Sequence, residues 1–170
     1  TNFVVQSLAK MARDVAPQGR YAPVGYGLAH EWNLLGHGTL DKADLCFSPS
    51  CQADFHAFLQ REYPSIGALN ASWGTTFRNW AEASPIVLRE AVQTNQVARW
   101  IDHRRHMDRV VADFLNAKIA AARAIDPLAQ GAGDNFRIGD TVLDSYSGID
   151  YSLLLRETVT WGGNPVPYLR

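Results

Sequence analysis

Glu31 stands just past a Gly-containing apolar run, Tyr21 to Ala29, with His30 between. A carboxyl group at the end of a strand can act as a general acid or base if it is protonated near neutral pH. Apolar surroundings raise a carboxyl pKa in that direction, and Trp32, Leu34 and Leu35 could supply them. By residue type alone, Glu31 reads at least as well as a solvated loop carboxylate. Cys46 and Cys51 form a second candidate group. A structural zinc takes four N or S ligands, so two thiols fall short unless His37 or His56 joins them. Buried or free thiols, or a local disulfide, are the other readings. His103 and His106 are spaced to share one helix face and could grip a metal, but no third ligand is evident. With Arg104, Arg105 and Arg109 beside them, they read as a solvated basic face. Asp134 and Asp150 each follow a short Gly-containing stretch and are the remaining carboxylates at expected strand ends.

The bulk composition narrows the class of function. The chain has 170 residues, 46% hydrophobic and 19% charged, as in an ordinary folded domain. A net charge of -1 gives no electrostatic basis for binding nucleic acid or an anionic membrane. No apolar run approaches the roughly 20 residues of a bilayer-spanning helix. An 11% aromatic content suits sugar stacking and ordinary cores alike, and the core reading carries more weight. Gly131, Gly133 and Gly139 do not form a dinucleotide-binding fingerprint between a strand and a helix.

The elements that must position these groups alternate. Apolar residues at helical spacing predict a helix over 3–15, stopped by Pro17-Gln18-Gly19. A buried strand is expected over 21–29, then a long loop over 31–46. Ser48-Pro49 reads as an N-cap followed by Pro at the first helical position, opening a helix to about Tyr63. A short helix follows Ser65 and ends at Gly74, and residues 75–94 are mixed. The longest helix is expected from Gln96 to Ile125, ended by Asp126-Pro127. Residues 129–133 and 147–151 read as second and third strands. This order predicts parallel strands with helices outside, an α/β fold.

Two stretches carry a family resemblance. One is Leu45-Cys46-Phe47-Ser48-Pro49-Ser50-Cys51; the other runs from Phe58 through Leu69-Asn70-Ala71-Ser72-Trp73-Gly74-Thr75-Thr76-Phe77 to Trp80 and Pro85. Together they resemble the bacterial β-galactosidases of glycoside hydrolase family 42, densely over about residues 26–85 and more loosely to Tyr151. The resemblance implies a partial (β/α)8 TIM barrel covering about its fourth to sixth strands. Residues 1–170 would be an internal segment of the catalytic domain. It also implies a retaining glycosidase acting on β-galactosidic or related β-glycosidic bonds.

Carried over by position, Glu31 takes the acid/base place at the carboxyl end of a barrel strand. His30 stands where relatives have an Asn that helps bind the sugar, and an imidazole could donate the same hydrogen bond. Trp32 and Trp161 are candidates for stacking on the sugar. Asn135, Asp150 and Tyr151 are expected at strand ends facing it. Trp73 reads as core. In the family's zinc-binding cysteine loop this chain keeps Cys46 and Cys51 but has Ser48 between them, so neither a cofactor nor a structural zinc is expected. The nucleophile is expected outside the chain, because a closed barrel takes at least about 200 residues. The isolated chain is therefore expected to be inactive. Expected partners are a carbohydrate substrate and the remainder of the barrel; oligomerisation is left open. The alternatives are a non-catalytic carbohydrate-binding or structural remnant, or a related barrel hydrolase acting on another polysaccharide.

Overall fold

The computed structural model describes residues 2–21, 25–30, 44–134, 150–154 and 158–160. Six helices and three strands occur among them: α1 (Asn2–Val15), β1 (Tyr26–His30), α2 (Pro49–Glu62), α3 (Ile66–Trp73), α4 (Leu88–Gln93), α5 (Val97–Arg123), β2 (Gly131–Asp134), α6 (Tyr151–Leu154) and β3 (Thr158–Thr160). The three strands form one sheet in the order β1-β2-β3, and both pairings are parallel. Parallel neighbours need a crossover connection, and α5 is the last helix in the chain between β1 and β2. The chain divides into two units, residues 1–36 with 108–170, and residues 37–107.

In the first unit, α1 offers Met11 and Val15, one turn apart. The second half of α5 offers Val111, Leu115, Ile119 and Ala122 along one stripe. These close a single buried cluster with Tyr26 and Leu28 of β1. Tyr26 keeps its polar end satisfied by donating its hydroxyl to Asp126, at 2.8 Å. Burial first, and then this carboxylate, raise its phenol pKa. Gly131, opening β2, is fixed by close packing. A Cβ there would lie 2.7 Å from side-chain carbons of both Ile119 and Leu28. Those two side chains are only 1% and 2% exposed, so neither can turn into solvent. Gly131→Ala is expected to cost about 1–3 kcal/mol by overpacking, read as a lowered urea midpoint with unchanged m-value. An unaltered midpoint would show that β2 has room to move away.

In the second unit, the motif that carries the family resemblance holds itself together. Ser65 caps α3 by accepting from the Ala68 N–H, and Gly74 ends it at φ 68°. That left-handed conformation suits glycine. The Asn70 side chain then binds the chain on its way out. Its Oδ1 accepts from the Thr75 hydroxyl at 2.7 Å and the Phe77 N–H at 2.9 Å, and its Nδ2 donates to the Phe77 carbonyl at 2.8 Å. Leu69 and Trp73 enter the core beside Phe55, Phe58 and Leu59 of α2. Phe77 meets the Trp73 ring edge-on, 6.3 Å between centroids.

Two sequence expectations are corrected and one is made more specific. The first strand is shorter than 21–29: Gly19–Tyr21 form a 3-10 turn and β1 starts at Tyr26. Residues 75–94 contain α4. The third strand expected over 147–151 does not hold at its described residues: Tyr151 opens α6 and β3 lies at Thr158–Thr160, while residues 147–149 lie outside the described residues.

Candidate active site

The carboxyl edge of the sheet is defined by register. His30 is the Cα partner of Asp134, and Gly133 is the partner of Thr160. The last residues of β1, β2 and β3 thus share one edge, where α/β enzymes place their chemistry. The residues that follow these strands in the chain are Glu31, Asn135 and Trp161. All three, and Trp32, lie outside the described residues. His30 is placed by its backbone alone.

β1 does not run evenly to that edge. Gly27 pairs with Ala132 and Ala29 with Gly133, so Leu28 is an extra residue with no partner, a bulge. The Leu28 carbonyl accepts from the Lys118 ammonium of α5. Burial, foremost, lowers the Lys118 pKa; Lys10 adds to this and Asp14 opposes it. Sequence reasoning missed Lys118. The available signal was a lysine directly beside Ile119 on the inward stripe.

Asp150 and Tyr151 have a different setting from the expected strand end. Asp150 Oδ1 accepts from the Ser152 N–H at 2.8 Å and the Ser152 hydroxyl at 2.6 Å, capping the short helix α6. Tyr151 is the first residue of that helix.

Cys46 and Cys51 are joined in a disulfide, with Cα atoms 5.2 Å apart. In that form they offer no thiolate and do not fit a thiolate-bound zinc. His37 lies outside the described residues. The bridge ties the chain before α2 to its first turn, where Ser48 accepts from the Cys51 N–H. Asp44 anchors the same stretch, accepting from the Leu88 N–H at 2.7 Å and Trp100 Nε1 at 2.8 Å.

The expected solvated basic face is also corrected. His103, Arg104 and His106 are buried, because the α5 stripe of Met107 and Val111 extends back through His103. His106 Nε2 lies 2.8 Å from Asp54. His103 Nδ1 lies 3.1 Å from the Ile86 carbonyl, and Nε2 2.8 Å from that of Leu45. Burial lowers the His103 pKa below 6.5 and Arg104 adds to this, while the two carbonyls and Asp44 oppose it. The unfolded chain therefore takes up this proton at higher pH than the folded one. The stability that His103 contributes is present above about pH 6.5 and is lost as pH falls below it. The drop in urea midpoint between pH 7.5 and 5.5 is expected to shrink in His103→Gln. An equal drop in both proteins would assign the pH dependence elsewhere.

Residues 37–144 match the sequence model of glycoside hydrolase family 42, described as beta-galactosidase. The chain belongs to that family. This family-42 segment is 24% identical over 146 residues to β-galactosidase BglY of Alicyclobacillus acidocaldarius, covering 81% of this chain and 20% of that protein. It is also 29% identical over 69 residues to a thermophilic β-amylase of Thermoanaerobacterium thermosulfurigenes, 41% of this chain and 12% of that one. Among solved structures it resembles the catalytic domain of β-amylase from Paenibacillus polymyxa, with a TM-score of 0.64 at 13% identity. That likeness covers 95% of this chain and 47% of that one. The family-42 segment thus has a TIM-barrel-type fold and spans about a fifth or less of the length of these curated relatives. None of its described helices is long and apolar enough to cross a membrane.

Proposed function

We propose that this chain is the acid/base-bearing part of a retaining β-galactosidase barrel. Its three strands would be the fourth, fifth and sixth of the barrel. Glu31 protonates the glycosidic oxygen as the bond breaks, then takes a proton from the water that releases the sugar. The attacking carboxylate comes from outside these 170 residues, so the remainder of the barrel is the necessary partner and the isolated chain is inactive. His30 and Asn135 hold sugar hydroxyls, and Trp32 and Trp161 stack on the ring. Asp150 and Tyr151 contribute from the rim, with one Asp150 oxygen committed to α6. The observation that supports this reading best is the parallel register of His30 with Asp134. It places the residues just before Glu31 and Asn135 on one sheet edge.

The 29% identity over 69 residues to a thermophilic β-amylase favours a second reading, a barrel hydrolase acting on an α-glucan. The full-length protein separates the two readings when offered an aryl β-galactoside and amylose. Release of galactose, first formed as the β-anomer, is the expected result. Hydrolysis of amylose alone would overturn the galactosidase reading. Failure to cleave either substrate, with sugar still bound, would mark a non-catalytic barrel.

A further inference from the structure

We propose that Lys118 is a positioning residue for the acid/base, because its ammonium holds the carbonyl of the β1 bulge at Leu28. The inference rests on the reading of Glu31 as the acid/base. Leu28 is the residue that the β1–β2 register skips. Without that extra residue, Leu28 itself would pair with Gly133, and every later residue of the strand would move by one place. A one-residue shift turns each side chain to the opposite face of a sheet. The bulge, three residues before the chain reaches Glu31, therefore decides which face β1 presents at its carboxyl end.

The bulge is held from two sides. The Leu28 side chain is 2% exposed and lies over Gly131 and beside Ile119, so packing fixes where it points. Its backbone oxygen has the Lys118 ammonium as donor. A lysine on the inward side of a helix needs such a partner, because burying a charge unpaired is costly. Lys118 also passes over the Phe114 ring, at 5.8 Å from its centroid. That contact directs the long side chain along α5. The remaining charges that act on the ammonium, Lys10 and Asp14, lie on α1 and are hydrogen-bonded to each other. Removing the ammonium leaves the Leu28 carbonyl without this donor and frees the strand to relax towards the unbulged register.

The test is made in the full-length enzyme with Lys118→Met, Lys118→Arg and Glu31→Gln, assayed on an aryl β-galactoside across pH. Lys118→Met is expected to lower kcat by about 10- to 100-fold, the size of effect that a small misplacement of a catalytic group produces. KM should change much less, and the alkaline limb of the pH–rate profile should move. Lys118→Arg, which keeps a cationic donor, should recover most of the lost turnover. A merely structural role would lower the thermal midpoint without moving the pH limb. Wild-type kcat and pH profile in folded Lys118→Met, beside an inactive Glu31→Gln, would overturn the positioning role alone. An active Glu31→Gln would overturn the acid/base reading itself. If Lys118→Met does not fold, Lys118→Ala, which also removes the donor, decides: an unmoved pH limb with full turnover overturns the proposal.

Discussion

Glu31→Gln in the full-length enzyme is expected to lower turnover of alkyl β-galactosides by about two to four orders of magnitude, the usual contribution of a positioned proton donor. The glutamine amide keeps the size of the side chain but can neither give the proton to the departing oxygen nor take one from water. The two losses are separable. A dinitrophenyl group leaves without help, so the first step on that substrate should be nearly normal while the second remains slow. The glycosyl-enzyme then accumulates, and KM falls together with kcat. Pre-steady-state release of dinitrophenol should therefore show a burst. Equal loss on good and poor leaving groups, with no burst, would mean that Glu31 supports the fold or binds sugar. Unchanged turnover on both would remove it from the reaction.

The second large effect is expected at Asp102 and concerns stability. Its side chain is 6% exposed. It accepts from the Tyr63 hydroxyl at 2.6 Å, from Trp73 Nε1 at 2.8 Å and from Arg105 at 3.0 Å. Arg105 is half exposed and also pairs with Glu62, so its share is small. The cost of Asp102→Ala lies with the two neutral donors. Trp73 is 2% exposed and cannot reach water. Stranding a buried donor costs about 1–3 kcal/mol, and the cavity adds to it. A total of about 3–5 kcal/mol is expected, or a fall in Tm of roughly 6–20 °C for a domain of this size. A spectroscopic sign should accompany it. Burial first, and then the bond to Asp102, hold the Tyr63 pKa above 10.0. Alkaline titration of Asp102→Asn, the milder variant, should therefore show one tyrosine ionising earlier than in the wild type. A loss below about 1 kcal/mol in Asp102→Ala would show that solvent reaches the site.

The parts of this fold legible in the sequence were those written in local chemistry. Ser48-Pro49, Ser65 and Gly74 mark helix ends because caps and left-handed turns demand those residue types, and all three stand where expected. The long α5 stripe and the parallel order of strands followed from periodicity and alternation. β3 was misplaced because Thr158-Val159-Thr160 is too short to show a period. Asp150 before Ser152 is a helix-cap signature, and a strand was expected there instead. The histidines of α5 were misjudged by counting charges: His103 lies one turn before Met107 on the buried stripe, and position outweighs residue type. Of the candidate site, a strand ending just before Glu31 in the chain was legible. The pairing of His30 with Asp134 was not, because it joins residues about a hundred positions apart. Asp102 meets Tyr63 and Trp73 across similarly unreadable separations.

The Asn70 clamp bears on what kinship in this family means. Its amide, the Thr75 hydroxyl and the Phe77 backbone satisfy one another. Selection for a stably folded scaffold is enough to preserve such a signature through a change of glycan, or through loss of hydrolysis altogether. A search guided by it will gather proteins by architecture, and sorting them by chemistry falls to the strand tips.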